Sequence, residues 1–213
     1  MDGVGEVLEA AREAYRRHDW AGAREHFTAA SAAGELAAAD LDALADAAWW
    51  LGEVEEAVAV FEAAYRRHLD DGRPDGAAMA AIGIAVTHLL RGDGVVGSGW
   101  LGRAQRLVRD EPEGAAHGYL LYLELEGALG GDDPAAVVEA ARRVREIGRR
   151  HADPNLTAAG DLFEGRVLVR QGRMAEGMAL LDEAMLAVLS GELSPEWAGN
   201  IYCHLMAAFA ELA

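Results

Sequence analysis

Cysteine is almost absent. The chain has 213 residues and one cysteine, Cys203, so no intrachain disulfide can form. Lying in an apolar segment, Cys203 reads as a small buried hydrophobe. Proline is scarce at 5, and aromatics make up 7%. Runs that alternate β-branched or aromatic residues with polar ones are missing, which leaves no credible strand. No apolar stretch reaches the roughly 18 residues needed to span a bilayer, so no membrane partner is expected. The chain starts Met1-Asp2-Gly3 and turns helical without a charged-then-apolar leader, so the expected location is cytoplasmic. Positive charge is also short. Lys and Arg total 19 against 36 Asp and Glu, a net charge of −17. A polyanion is repelled by such a chain, and direct nucleic-acid binding by this segment is not expected. The basic spots Arg142-Arg143, Arg145 and Arg149-Arg150 are interleaved with Glu139 and Glu146. They read as an ordinary solvated helix face.

Catalytic and metal signatures are missing too. Seven histidines are present, but none forms His-Glu-x-x-His or shares a helix face with two further ligands. Gly92-x-Gly94 with Gly97 follows a helical pattern and lacks Gly-Lys-Ser/Thr, so it is not a phosphate cradle. Gly97-Ser98-Gly99 lacks the strand and the spacing of a nucleophile elbow. No buried carboxylate pair can be picked out from spacing alone. The expectation is a non-catalytic chain without cofactor or metal.

What is there is a repeat. The chain is 52% apolar, enough for a sizeable core, and rich in strong helix formers. Ala23, Phe27 and Ala30 are followed 34 residues later by Ala57, Phe61 and Ala64. The frame then returns every 40 residues, as Gly97, Leu101, Ala104, then Val137, Ala141, Val144, then Gly177, Leu181, Ala184. A turn residue precedes each set by five positions: His18, Gly52, Gly92, Asp132 and Gly172. Periods in this range mean stacked helical hairpins. The spacing predicts hairpins over about 3–33, 40–71, 75–109, 114–151 and 154–190, with one further helix at 195–212. Adding 40 to Gly172 gives 212, so the next turn falls due as the sequence ends, and a fragment of a longer protein is expected.

The small-x-x-x-large-x-x-small second helix, with its preceding turn glycine, resembles the tetratricopeptide repeat. Residues 18–30 and 52–64 carry this half of the pattern well, and Gly165, Gly172, Gly177, Leu181 and Ala184 carry most of its small positions. The first-helix Trp of that family is missing throughout. The resemblance implies an all-α, right-handed superhelix of five hairpins plus one extra C-terminal helix, in a single domain. The 40-residue units are also similar to the sensor segments of large LuxR-type and maltose-regulator-like transcription regulators. The residues are Gly99-Trp100-Leu101-Gly102-Arg103-Ala104, Ile147-Gly148-Arg149-Arg150 and Ser194-Pro195-Glu196. That second resemblance implies a regulatory context, with DNA contacts elsewhere.

In such a stack the first helices line a concave face. Aligning the hairpins gives columns there: Leu8, Asp42, Ile82, Tyr122, Leu162, Tyr202; then Arg12, Asp46, Val86, Glu126, Arg166, Met206; then Tyr15, Trp49, Leu89, Leu129, Val169, Phe209. The next position adds Arg16, Trp50, Leu90 and Arg170. The partner-contact candidates are Arg12, Tyr15, Arg16, Asp42, Asp46, Trp49, Trp50, Ile82, Val86, Tyr122, Glu126, Arg166, Arg170, Tyr202 and Met206. Aromatic anchors with isolated charges suit a peptide or protein partner. Arg12 and Arg16 are expected to pair with Asp42 and Asp46, while Leu89 and Leu129 are expected in the core. The alternatives are a small-molecule effector enclosed near Trp49, Trp50, Ile82, Val86 and Tyr122, and a homodimer formed through the last helix.

Overall fold

The computed structural model describes residues 2–128 and 133–210, and among them the chain is all-α. The helices are α1 Asp2–Arg16, α2 Trp20–Ala33, α3 Ala38–Trp50, α4 Val54–Asp70, α5 Pro74–Leu90 and α6 Gly94–Val108. They continue with α7 Ala115–Ala128, α8 Pro134–Arg150, α9 Pro154–Arg170, α10 Met174–Ser190 and α11 Pro195–Ala210. These are five hairpins and a last helix. Leu129 and the turn expected at Gly130-Gly131-Asp132 lie outside the described residues.

The 40-residue period has a simple cause. Helices α4, α5, α8, α9 and α10 each have 17 residues. Turns of three residues join α3 to α4, α4 to α5, α5 to α6, α8 to α9 and α9 to α10, so a 17-residue helix and its turn fill 20 positions. Gly52, Gly72, Gly92 and Gly172 adopt left-handed φ between +66° and +82° at these turns, and Ala152 takes the same place at +53°. Helix α2 has 14 residues and α3 has 13, which is why the first step is 34 instead of 40. The 20-residue frame next demands a left-handed residue at 112. Pro112 stands there, and its ring locks φ near −65°. The chain runs irregularly through Pro112–Gly114, and the fold divides at this point into two compact units, 1–111 and 112–213.

Local chemistry sets the helix starts. Asp19, Asp93, Asp133 and Asp153 accept a hydrogen bond from the backbone N–H three residues on, capping α2, α6, α8 and α9. Pro74, Pro134 and Pro154 open helices at positions whose N–H has no intrahelical partner.

In the first unit, Ala23, Phe27 and Ala30 are all buried, with Phe27 packed among Ala11, Ala14, Leu36 and Leu44. Phe61 repeats the arrangement against Ala45 and Ile84. Each such side chain contributes about 1.5–3 kcal/mol by leaving water. In the second unit, α9 packs against α7, α8, α10 and α11, and every residue from Ala158 to Val169 is buried. Its crossing with α10 is made by two glycines. A Cβ on Gly177 would lie 2.7 Å from the Gly165 carbonyl oxygen, and one on Gly165 would lie 2.9 Å from that of Gly177.

Candidate partner-binding surface

In the first unit the expected aromatics gather at the turn end of the first two hairpins. Trp20 and Trp50 stack with ring centroids 5.6 Å apart and planes 4° apart. The His18 ring lies 5.1 Å from Trp20, Tyr15 meets Trp20 edge-on at 5.5 Å, and Trp49 meets Trp50 edge-on at 5.4 Å. Trp50 remains 38% exposed, while Tyr15, Trp20 and Trp49 are half-buried. The column alignment passes over Trp20, because it opens a second helix. Its position two residues after the left-handed His18 turn is the signal that places it beside Trp50.

The charge pairs differ from expectation. Arg12 binds Asp40 in a fork, Nε to Oδ1 at 2.8 Å and Nη2 to Oδ2 at 2.9 Å, and also reaches Glu9. Arg16 pairs with Glu13 on its own helix. Asp42 instead meets the buried His68 Nε2 at 2.7 Å, and Asp46 accepts from the Tyr15 hydroxyl at 2.7 Å. Asp40 is the more deeply buried carboxylate, so it takes the fork; half-buried Asp42 has its pKa raised by desolvation, against the pull of His68. Ile82 is buried in α5 and Val86 is half-buried, whereas Leu89, expected in the core, is 37% exposed.

In the second unit, Tyr122 belongs to the core, edge-on to Trp197 at 4.6 Å and to Phe163 at 5.9 Å. Its hydroxyl donates to Glu126, and its oxygen lies 3.2 Å from the Asn200 side-chain amide. Buried Arg166 donates from Nη1 to His204 Nδ1 at 2.9 Å. Guanidinium nitrogens only donate, so Nδ1 carries the lone pair and the His204 Nε2–H faces Glu126 Oε1 at 3.1 Å. One side chain from each of α7, α9 and α11 thus closes an Arg–His–Glu relay. Burial works to raise the Glu126 pKa, but hydrogen bonds from His204 and Tyr122 outweigh it and the net shift is downward. Arg170, Tyr202 and Met206 are exposed.

Cys203 is exposed, contrary to the buried reading, because α11 turns Ile201 and Leu205 inward instead. Two further carboxylates escaped the spacing argument. Asp161 and Glu164 are buried on α9 and are held by Arg145 at 2.8 Å each, with Arg142 also on Glu164 at 2.7 Å. Arg145 is therefore a half-buried counter-ion, not part of a solvated face. A cleft of about 690 Å³ between α8, α9 and α10 is lined by Asp161, Arg149, Thr157, Glu183 and Leu186 among others. None of the residues expected around an effector lines it. Among the described residues no group of three His, Cys, Asp or Glu is placed to hold a metal ion, and no helix is long and apolar enough to cross a membrane.

No family model matches the chain, and no curated protein matches it. Solved structures do. One is a kinesin light chain of Podosopora anserina described as having nearly identical TPR-like repeats, with a TM-score of 0.52 and 16% identity. Another is a single-substitution variant of that protein, with a TM-score of 0.53 and 16% identity. Each match covers 90% of this chain and 97% of the other. At that identity the likeness is one of fold, and it assigns these helices to a TPR-like array of hairpins.

Proposed function

We propose that this chain is a non-catalytic interaction module that binds a peptide or protein, with the aromatic stack around Trp50 as its anchor. The observation that carries the proposal is the part-exposed stack of His18, Trp20 and Trp50, flanked by Tyr15 and Trp49. Large, rigid rings left in water at a helix end are costly unless something covers them, and such side chains dominate interface energetics. The TPR-like fold supports the reading by analogy alone.

A phage-displayed peptide library selected on the full chain tests it. Peptides enriched on the native protein should bind Trp50→Ala about 30-fold more weakly, the loss of one hot-spot side chain of about 2 kcal/mol. Circular dichroism should show unchanged helix content, since Trp50 is partly exposed. Equal binding to the native chain, Trp50→Ala and Trp20→Ala would sink the proposal.

The wider context we infer is the sensing arm of a transcriptional regulator. Its support is the 40-residue frame, longer than the usual repeat, and the sequence likeness to such arms. Transcript profiling after gene deletion tests this.

A further inference from the structure

The exposed apolar side chains of the first unit gather on one edge. Among its described residues, eight large apolar side chains are exposed. Val4 and Leu69 lie elsewhere. The other six, Trp50, Leu51, Leu89, Leu90, Val95 and Val96, flank the turns at 51–53 and 91–93. Leu90 and Val95 are 71% and 87% exposed. These turns and the one at 17–19 are internal to hairpins, so the antiparallel helices put all three on the same edge. Two contacts hold them side by side. The Trp20–Trp50 stack joins the first turn to the second. Arg91 Nη1 donates to Glu55 Oε1 at 2.8 Å and joins the second to the third. The aromatic stack is therefore one end of a longer apolar ridge, and an exposed patch of this kind marks an interaction site.

We propose that this ridge docks a cationic amphipathic segment of a partner protein, with an apolar side flanked by Lys or Arg. The proposal rests on the Trp50 stack being a partner anchor, and it names the chemistry of that partner. Charge chooses the occupant. Each of the three turns sets a carboxylate at the N-terminal cap of its second helix: Asp19, Glu53 and Asp93. Asp19 and Asp93 each use one oxygen on a capping N–H, Glu53 uses none, and no arginine pairs with any of the three. The arginines at this edge are already matched. Arg16 and Arg17 face Glu13, and Arg91 faces Glu55. Apolar surface and unmatched negative charge thus lie together on a chain of net charge −17. A second copy of the chain, an anionic lipid or a nucleic acid meets that field as a like charge. A cationic segment is drawn in by it, and its apolar side then covers the exposed leucines and valines.

Two labelled synthetic peptides of about 14 residues test it, both with leucines at helical i, i+3, i+4 spacing and with either Lys or Glu at the other positions. Fluorescence anisotropy with the full chain in about 0.1 M salt should show the Leu/Lys peptide binding at about 10–100 µM, and the Leu/Glu peptide at least about 10-fold more weakly. Leu90→Gln with Val95→Gln removes apolar surface at constant charge and should weaken the Leu/Lys peptide about 10-fold. Asp19→Asn, Glu53→Gln and Asp93→Asn together should weaken it by a similar factor and flatten its salt dependence, since Asn still caps a helix. Leu69→Gln with Asp70→Asn, at the other end of α4 about 24 Å away, removes one exposed apolar side chain and one charge and should change nothing. Circular dichroism checks that each variant keeps its helix content. Equal affinity for the two peptides, binding of neither, or an equal loss in the Leu69/Asp70 variant overturns the proposal. A loss with Trp50→Ala but none with the Leu90/Val95 variant also overturns it and leaves the Trp50 anchor standing. A loss with the Leu90/Val95 variant but none with Trp50→Ala upholds the ridge and removes the anchor.

Discussion

Glu126 shows how one residue's environment decides its part in stability. Two donors, the His204 Nε2–H and the Tyr122 hydroxyl, hold it ionised, and its pKa falls below the ordinary value of 4.5. A carboxylate with a depressed folded-state pKa adds stability that is present above its unfolded value. That stability is lost as the pH falls through the folded value. Melting temperatures followed by tryptophan fluorescence should therefore show a deficit for Glu126→Gln at pH 7. The deficit should shrink as the pH drops below about 4.5, where the native side chain also becomes neutral. A gap independent of pH would mean that Glu126 acts through packing alone. The residue was visible in the sequence as a column position, but its partner was not. His204 lies 78 positions away, and no helical spacing relates residues on α7 and α11. Asp161 and Glu164 were missed for a similar reason. Their burial comes from α9 being enclosed by four neighbours, which local amphipathicity does not report.

At the scale of helices, the spacing of small residues was the readable signal. Gly177 opens the frame Gly177, Leu181, Ala184, and in the structure it is where α10 crosses α9. A Cβ there would meet the Gly165 carbonyl oxygen at 2.7 Å and the Val169 backbone N at 2.8 Å. Neither contact can yield by a side-chain rotation, so the helices must move apart. Gly177→Ala is expected to cost about 1–3 kcal/mol of stability by overpacking, less the small gain in helix propensity. Urea unfolding measures it, and an unchanged midpoint would show that the crossing is looser than the geometry indicates. The face that α11 turns outward was not readable in the same way. Ile201 and Tyr202 are neighbours in one apolar stretch of the sequence. Only the direction from which α9 and α10 approach decides that Ile201 is fully buried and Tyr202 half exposed.

For the whole molecule, charge and chain breaks matter most. Every one of the 19 basic residues is an arginine. Many are committed to carboxylates, among them Arg12, Arg24, Arg142 and Arg145. Much of the basic charge is thus paired with carboxylates of the same chain, and the net field stays anionic. If the chain is a regulator's sensing arm, gene deletion should change a narrow set of transcripts. The purified chain should leave labelled duplex DNA unshifted at about 50 mM salt and 10 µM protein, since it lacks the clustered cations that phosphate contact requires. An unchanged transcript profile would remove the regulator reading, and a DNA shift would remove the assignment of DNA contact to another segment. The division at 111/112 is also a whole-chain property. Pro112 occupies the place where the 20-residue frame calls for a left-handed turn, and the run of left-handed turn residues is interrupted there.

By itself the sequence determined that the chain is helical, where its hairpins turn, which small residues let helices approach, and that its surface field is negative. These are local or summed properties, set by propensity, 3.6-residue periodicity, capping side chains and net charge. The tertiary structure decided which of several equivalent residues are paired and which stay in water. It gave Arg12 to Asp40 instead of Asp42, joined Arg166 to Glu126 through His204, and set Trp20 on Trp50. It also left Cys203 outside. Each of these depends on where a neighbouring helix lies, and that position comes from packing many side chains at once, which no single stretch of sequence encodes.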